Sequence, residues 1–209
     1  TTFGGLTGIG GTPYLAAGAF VSDEDVIWGS LNGPTENVNI ENFGGALYAA
    51  YGCAPEFHNC TFADNLADPF VDPNALNLPD DIYVSYGGSV AFEEDCRVKF
   101  VDTTITDSNA AIGGGIWWSN ADIHLVDCNV TENFAYSGGG LYSNEATGTI
   151  LTSKISRNAA RMDVWADYND VNNYDPNFYG QGGGYYGLAS VLEARDSFFN
   201  RNRASASGG

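Results

Sequence analysis

A four-residue phrase, two glycines, a small residue and then an apolar one, recurs along the chain and restricts its fold more than any other feature. It reads Gly44-Gly45-Ala46-Leu47, Gly87-Gly88-Ser89-Val90, Gly113-Gly114-Gly115-Ile116, Gly138-Gly139-Gly140-Leu141 and Gly182-Gly183-Gly184-Tyr185. Four copies are followed by an apolar residue three places before an asparagine, namely Phe62 and Asn65, Val130 and Asn133, Ile155 and Asn158, and Phe199 and Asn202. The second copy departs, with Ile105 followed by Ser108 and then Asn109.

With Cys60 as a phase marker, its equivalents are Thr103, Cys128, Ser153 and Ser197, at steps of 43, 25, 25 and 44 residues. Two repeats of 25 residues thus stand beside two that carry insertions, at about 68–86 and 163–181. Apolar residues fill the place three before the marker (Phe57, Phe100, Leu125, Ile150, Ala194) and two after it (Phe62, Ile105, Val130, Ile155, Phe199). Alternation of apolar and polar positions predicts strands, and the break in parity predicts a bend at Asn59, Asp102, Asp127, Thr152 and Asp196. A unit this short cannot bury its own inward face, so copies must stack, and the simplest stack is a parallel β-solenoid with coils about 4.8 Å apart. Equivalent residues then form ladders. Asn65, Ser108, Asn133, Asn158 and Asn202 are expected on one of them, each amide satisfying a bend and its neighbour. The 27 glycines and 20 asparagines are explained by this code, while 44% hydrophobic residues argue against disorder.

The paired motifs resemble the polymorphic outer membrane protein repeat over residues 44–209. The resemblance implies an all-β, right-handed parallel β-helix of the pectate-lyase-like type, here with about five to six coils, and surface display and adhesion as its role. No transmembrane barrel of the kind such proteins carry is visible in this sequence.

Residues 1–43 follow the scheme loosely and are expected to form an atypical first coil or an N-terminal cap. Ser207-Gly208-Gly209 falls where a further glycine motif is due. An open end exposes unpaired strand edges; the expectation is further chain beyond Gly209 or self-association through the solenoid ends, the latter giving a head-to-tail filament. The insertions leave on one edge, about 14 Å apart, with a bay between them. Trp165, Tyr168, Tyr174 and Tyr179 in the second are candidates for stacking on a surface glycan, and Asp163, Asp167, Asp170 and Asp175 for holding calcium. The other reading of this loop is packing by its own aromatics.

Cys53 and Cys96 share a place in adjacent coils, which fits a disulfide, the alternative being two thiols at a bend. Cys60 and Cys128 lie two coils apart and read as small buried residues. His58 and His124 sit at different offsets, so neither a metal pair nor a nucleophile triad has support, and no cofactor beyond the candidate calcium is implied. Glu93-Glu94-Asp95 sits at a bend and could serve acid–base chemistry on a sugar, although in so acidic a chain such pairs are expected by chance. A net charge of −18 repels nucleic acid and anionic lipid, and no apolar run approaches the ~18 residues of a membrane span. Two lysines, one methionine and many acidic and aromatic residues suit an exported, mature chain, placed outside the cell or at its surface. The expected function is a non-enzymatic adhesin or structural subunit, with a carbohydrate-binding or carbohydrate-cleaving β-helix as the competing class.

Overall fold

The structure, a computed structural model, describes residues 2–4, 14–16, 19–21, 39–67, 82–161 and 180–208. All regular structure among them is β, with no helix. The strands fall into sheets of six, five, seven, three and two members. Every pairing among them is parallel except that of Tyr14–Ala16 with Ala19–Val21. Parallel neighbours are one repeat apart: Thr61, Thr104, Asn129, Lys154 and Phe198 stand in one register line across the six-stranded sheet. Phe57, Phe100, Leu125, Ile150 and Ala194 stand in line across the five-stranded sheet. The register reproduces the spacing of the sequence motifs, the arrangement expected of a β-solenoid.

Between the sheets lies a single apolar column. Phe62, Ile105, Val130 and Ile155 from one side meet Phe100, Leu125 and Ile150 from another, all fully buried. Phe57 stacks on Phe100 with ring centroids 5.1 Å apart, and Phe62 meets Phe100 edge-on at 5.9 Å. Trp118 also lies inside, its indole N–H donating to the Thr147 carbonyl at 2.9 Å. Opposite it the chain carries Gly148, where a Cβ would stand 2.8 Å from Ile123 Cγ2.

The chain turns its corners with residues in the left-handed region. Gly113, Asn120, Asp127 and Glu132 have φ of 68°, 47°, 53° and 60°, and Gly138, Glu145, Thr152 and Arg157 repeat the series one coil on. The five residues expected at one bend, Asn59, Asp102, Asp127, Thr152 and Asp196, all have positive φ. For a residue with a Cβ this conformation costs about 1–2 kcal/mol. Side chains just past the bend help to offset it. Ser153 Oγ donates to the Leu151 carbonyl across the corner at 2.7 Å and accepts the Cys128 N–H of the neighbouring coil at 2.9 Å. Ser197 repeats this arrangement at 2.8 and 3.1 Å, and Thr103 at 3.0 and 3.4 Å. The marker residue is therefore small and also needs a polar hydrogen, which explains its restriction to Ser, Thr and Cys.

The glycine phrase and the asparagine ladder form one packing unit. Gly138 has φ 62°. A Cβ on Gly139 would lie 2.4 Å from the Ala159 backbone, and one on Gly140 would lie 2.8 Å from Asn158 Nδ2. The coil is pinched here, so that the second glycine touches main chain and the third touches the ladder. Asn133 Nδ2 donates to Asn158 Oδ1 at 3.0 Å, and Asn158 Nδ2 to Asn202 Oδ1 at 3.2 Å. Each amide also donates to the preceding coil, Asn133 to the Ile105 carbonyl and Asn158 to the Val130 carbonyl, both at 3.0 Å. Where Ser108 replaces asparagine, the third place of the phrase is Ser89, and the two hydroxyls meet at 2.6 Å. Asn65 reaches that pair, donating to Ser89 Oγ at 3.2 Å.

Two features go beyond what the sequence predicts. The stretch expected as insertion up to residue 86 ends in a strand, Ile82–Tyr86, paired in parallel with Asn39–Phe43. It brings Tyr86 against Phe43, stacked at 5.0 Å, and against Trp117 at 4.8 Å. With Ala91, Tyr142 and Tyr186 these rings form a second apolar cluster outside the seven-stranded sheet. In residues 1–43, Thr2–Gly4 and Tyr14–Ala16 extend the six- and seven-stranded sheets in parallel, and the antiparallel strand Ala19–Val21 closes the latter at that end.

Candidate functional site

The described surface departs most from an ordinary solvated face at the coil formed by Tyr185–Leu188, Val191–Arg195, Phe198–Asn200 and Arg203–Ala204. Each of these strands is the last member of its sheet, so its outer edge of N–H and C=O groups has no strand partner among the described residues. Phe199 occupies the inward place that is fully buried at Phe62, Ile105, Val130 and Ile155, yet it is 43% exposed. Leu188 is exposed as well.

The outward places on this coil change character too. The line Arg97, Asp122, Thr147 continues to Val191, and the line Thr61, Thr104, Asn129, Lys154 continues to Phe198. Val191 and Phe198 are 70% and 68% exposed. Full burial of side chains of this size is worth about 1.5–3 kcal/mol each. The two outward residues escape the sequence reading, although the lone apolar member of two otherwise polar columns is a signal that the sequence carries.

Charge is polarised along the sequence. No Lys or Arg precedes Arg97, whereas six of the eight lie from Lys154 onward, and Arg195, Arg201 and Arg203 are on the open coil beside only Glu193 and Asp196. Residues before Arg97 carry 14 of the 26 carboxylates.

The cysteines occupy corners. Cys128 Sγ donates to the Val126 carbonyl at 3.2 Å, the contact that Ser153 makes one coil on, and Cys60 Sγ donates to the His58 carbonyl at 3.4 Å. Cys53 and Cys96 share a column with Ala121, Ala146 and Ser190, fixed by the Arg97 N–H donating to the Cys53 carbonyl at 2.8 Å. Both are free thiols in the structure. Cys53 Sγ donates to the Ala50 carbonyl at 2.8 Å, so the corner is hydrogen-bonded in the thiol state. Burial pushes the Cys96 thiol up to about 11.

The remaining titratable groups serve the surface. Glu93 accepts the Tyr48 hydroxyl, and Glu94 and Asp95 turn a corner with φ of 55° and 63°. His58 and Lys99 beside Glu56 hold its carboxyl below the usual range, at 3.0 and 3.6 Å. The depressed value means that this contribution is present at neutral pH and is lost as pH falls through the folded-state value. Arg157 meets Glu132 at 2.8 Å on the open surface. Removing it in Arg157→Ala should change stability by no more than about 1 kcal/mol, read from denaturant midpoints. A shallow groove of about 390 Å³ runs past Asp95, Asn120, Asp122, Glu145 and Thr147. Among the described residues no three His, Cys, Asp or Glu side chains converge to hold a metal ion, and no helix is long and apolar enough to cross a membrane. Trp165, Tyr168, Tyr174 and Tyr179, with Asp163, Asp167, Asp170 and Asp175, lie outside the described residues.

No protein-family model, curated protein or solved structure matches the chain.

Proposed function

We propose that this chain is an extracellular, non-enzymatic β-solenoid that serves as a surface adhesin or structural subunit and associates end to end with a second copy. The winding is taken as right-handed with about five to six coils, in keeping with the hand of parallel crossover connections and with the motif resemblance to the polymorphic outer membrane protein repeat. The observation that carries the association is the outward pair Val191 and Phe198, apolar and exposed in columns that are otherwise polar. Arg195, Arg201 and Arg203 are exposed on the same coil, and the described coils at the opposite end expose carboxylates at Glu56, Asp64, Glu94 and Asp95. A second copy presented by that acidic end supplies both apolar cover and complementary charge. At that end the seven-stranded sheet is closed by the antiparallel strand Ala19–Val21, whereas the five-stranded sheet ends on Glu56–His58, a parallel edge. The contact therefore runs through the latter side of the stack.

Sedimentation velocity of the 209-residue chain tests this. Mass should rise with protein concentration, fall back as salt screens the charges, and return to monomer in Val191→Lys/Phe198→Lys at an unchanged thermal midpoint. A single monomeric species at millimolar concentration in low salt would sink the association, as would a double variant that associates like the parent.

A further inference from the structure

We propose that Cys53 and Cys96 constitute an oxidisable dithiol that closes to a disulfide and clamps two adjacent coils together, while Cys60 and Cys128 stay reduced. The register sets the two residues side by side, with the Arg97 N–H on the Cys53 carbonyl at 2.8 Å and Lys99 paired with Glu56 just beyond. Neighbouring coils lie about 4.8 Å apart, within the Cα separation of about 4.4–6.8 Å that a disulfide spans. Cys60 and Cys128 are separated in their column by Thr103, so they stand two coils, about 9.6 Å, apart, which no disulfide bridges.

Both sulfurs are buried, so a reagent must enter at the corner. The structure gives it a place to do so. Tyr51 and Gly52, immediately before Cys53, are exposed, a Cβ on Gly52 would meet nothing within 4 Å, and Cys96 borders the surface groove beside Asp95 and Arg97. A low-molecular-mass disulfide such as oxidised glutathione supplies the oxidant. One protein thiolate attacks it, forming a mixed disulfide and expelling one glutathione thiolate. The second protein thiolate then attacks the protein sulfur of that mixed disulfide and expels the other. Two S–H bonds are lost, one S–S bond forms, and the two electrons and two protons leave as two molecules of reduced glutathione. The closed loop contains the whole of the first long repeat, with its insertion, and fastens the coil at the acidic end to the body of the stack.

The test is an oxidation series on the folded 209-residue chain with oxidised glutathione, followed by acid quench, denaturation, alkylation and peptide mapping. Two alkylated cysteines, Cys60 and Cys128, are expected, with a Cys53–Cys96 peptide that is released by reductant. The thermal midpoint should rise by roughly 10 °C, as expected for closing a long loop, and fall again on reduction. Cys53→Ser should fold, since Ser190 fills that column elsewhere, and should show no linked peptide and no shift; Cys96→Ala, which copies Ala121 and Ala146 of the same column, serves if it does not. Four alkylated cysteines after prolonged oxidation overturn the proposal, and so does a linkage that includes Cys60 or Cys128. The series is run at low protein concentration and high salt, where the proposed end-to-end contact beside Glu56–His58 is absent, so that failure of the dithiol and failure of the association are read separately.

Discussion

Gly139→Ala is expected to destabilise the chain by more than about 3 kcal/mol, a large fraction of the total stability of a folded chain. Its Cβ would lie 2.4 Å from both C and O of Ala159, main-chain atoms held in a parallel pair with Phe134 and Arg203. Nothing flexible stands there to move aside. Gly52→Ala provides the contrast. Gly52 has φ 72° and open space where a Cβ would go, so only the left-handed conformation is penalised, at about 1–2 kcal/mol. Urea titrations followed by tryptophan fluorescence measure both. Gly139 is not in the left-handed region, so a loss there no larger than that at Gly52 would show that the pinch yields at little cost.

A loss of about 3–6 kcal/mol is expected for Asn158→Ala, the largest effect of any ladder residue. Asn158 is fully buried and accepts both the Asn133 N–H and the Asn133 side-chain amide at 3.0 Å, while donating to the Val130 carbonyl at 3.0 Å. Truncation leaves three buried groups without partners, each worth about 1–3 kcal/mol. The exposed Asn200 is the control and should change stability by less than about 0.5 kcal/mol on replacement. The coupling of ladder to glycine phrase has its own test. Gly140→Ser alone meets Asn158 Nδ2, and Asn158→Ser alone leaves a gap, but the double variant recreates the Ser89–Ser108 pair found elsewhere in the stack. The double variant should regain more than half of the summed losses. Strictly additive losses would mean that the two positions do not form one unit.

Much of this architecture was legible in the chain. The Gly and Asn motifs recur because each fills a fixed place in a repeating unit, and that place is set locally by a positive-φ corner, a pinch and an amide. The apolar columns through Phe62 and Phe100 follow from alternation, which is also local. The Cys53–Cys96 adjacency was readable for the same reason, a shared offset. The corner hydrogen bonds were harder to see, because a small residue after a bend does not announce that its hydroxyl spans the bend and receives the next coil's N–H. Nor did the strand Ile82–Tyr86 or the outer ring cluster around Trp117 stand out, since their partners Asn39–Phe43 and Tyr48 come from another repeat.

The sequence by itself determined the repeat, its phase and the residues that face inward, because strand period and corner conformation are properties of a few consecutive residues. What covers each inward residue was decided only by the tertiary structure. Phe62 and Phe199 occupy the same place in their repeats, yet one is sealed and the other is 43% exposed. Burial in a stack requires a neighbour on each side, and no residue's own position in its repeat can tell whether the second neighbour is present.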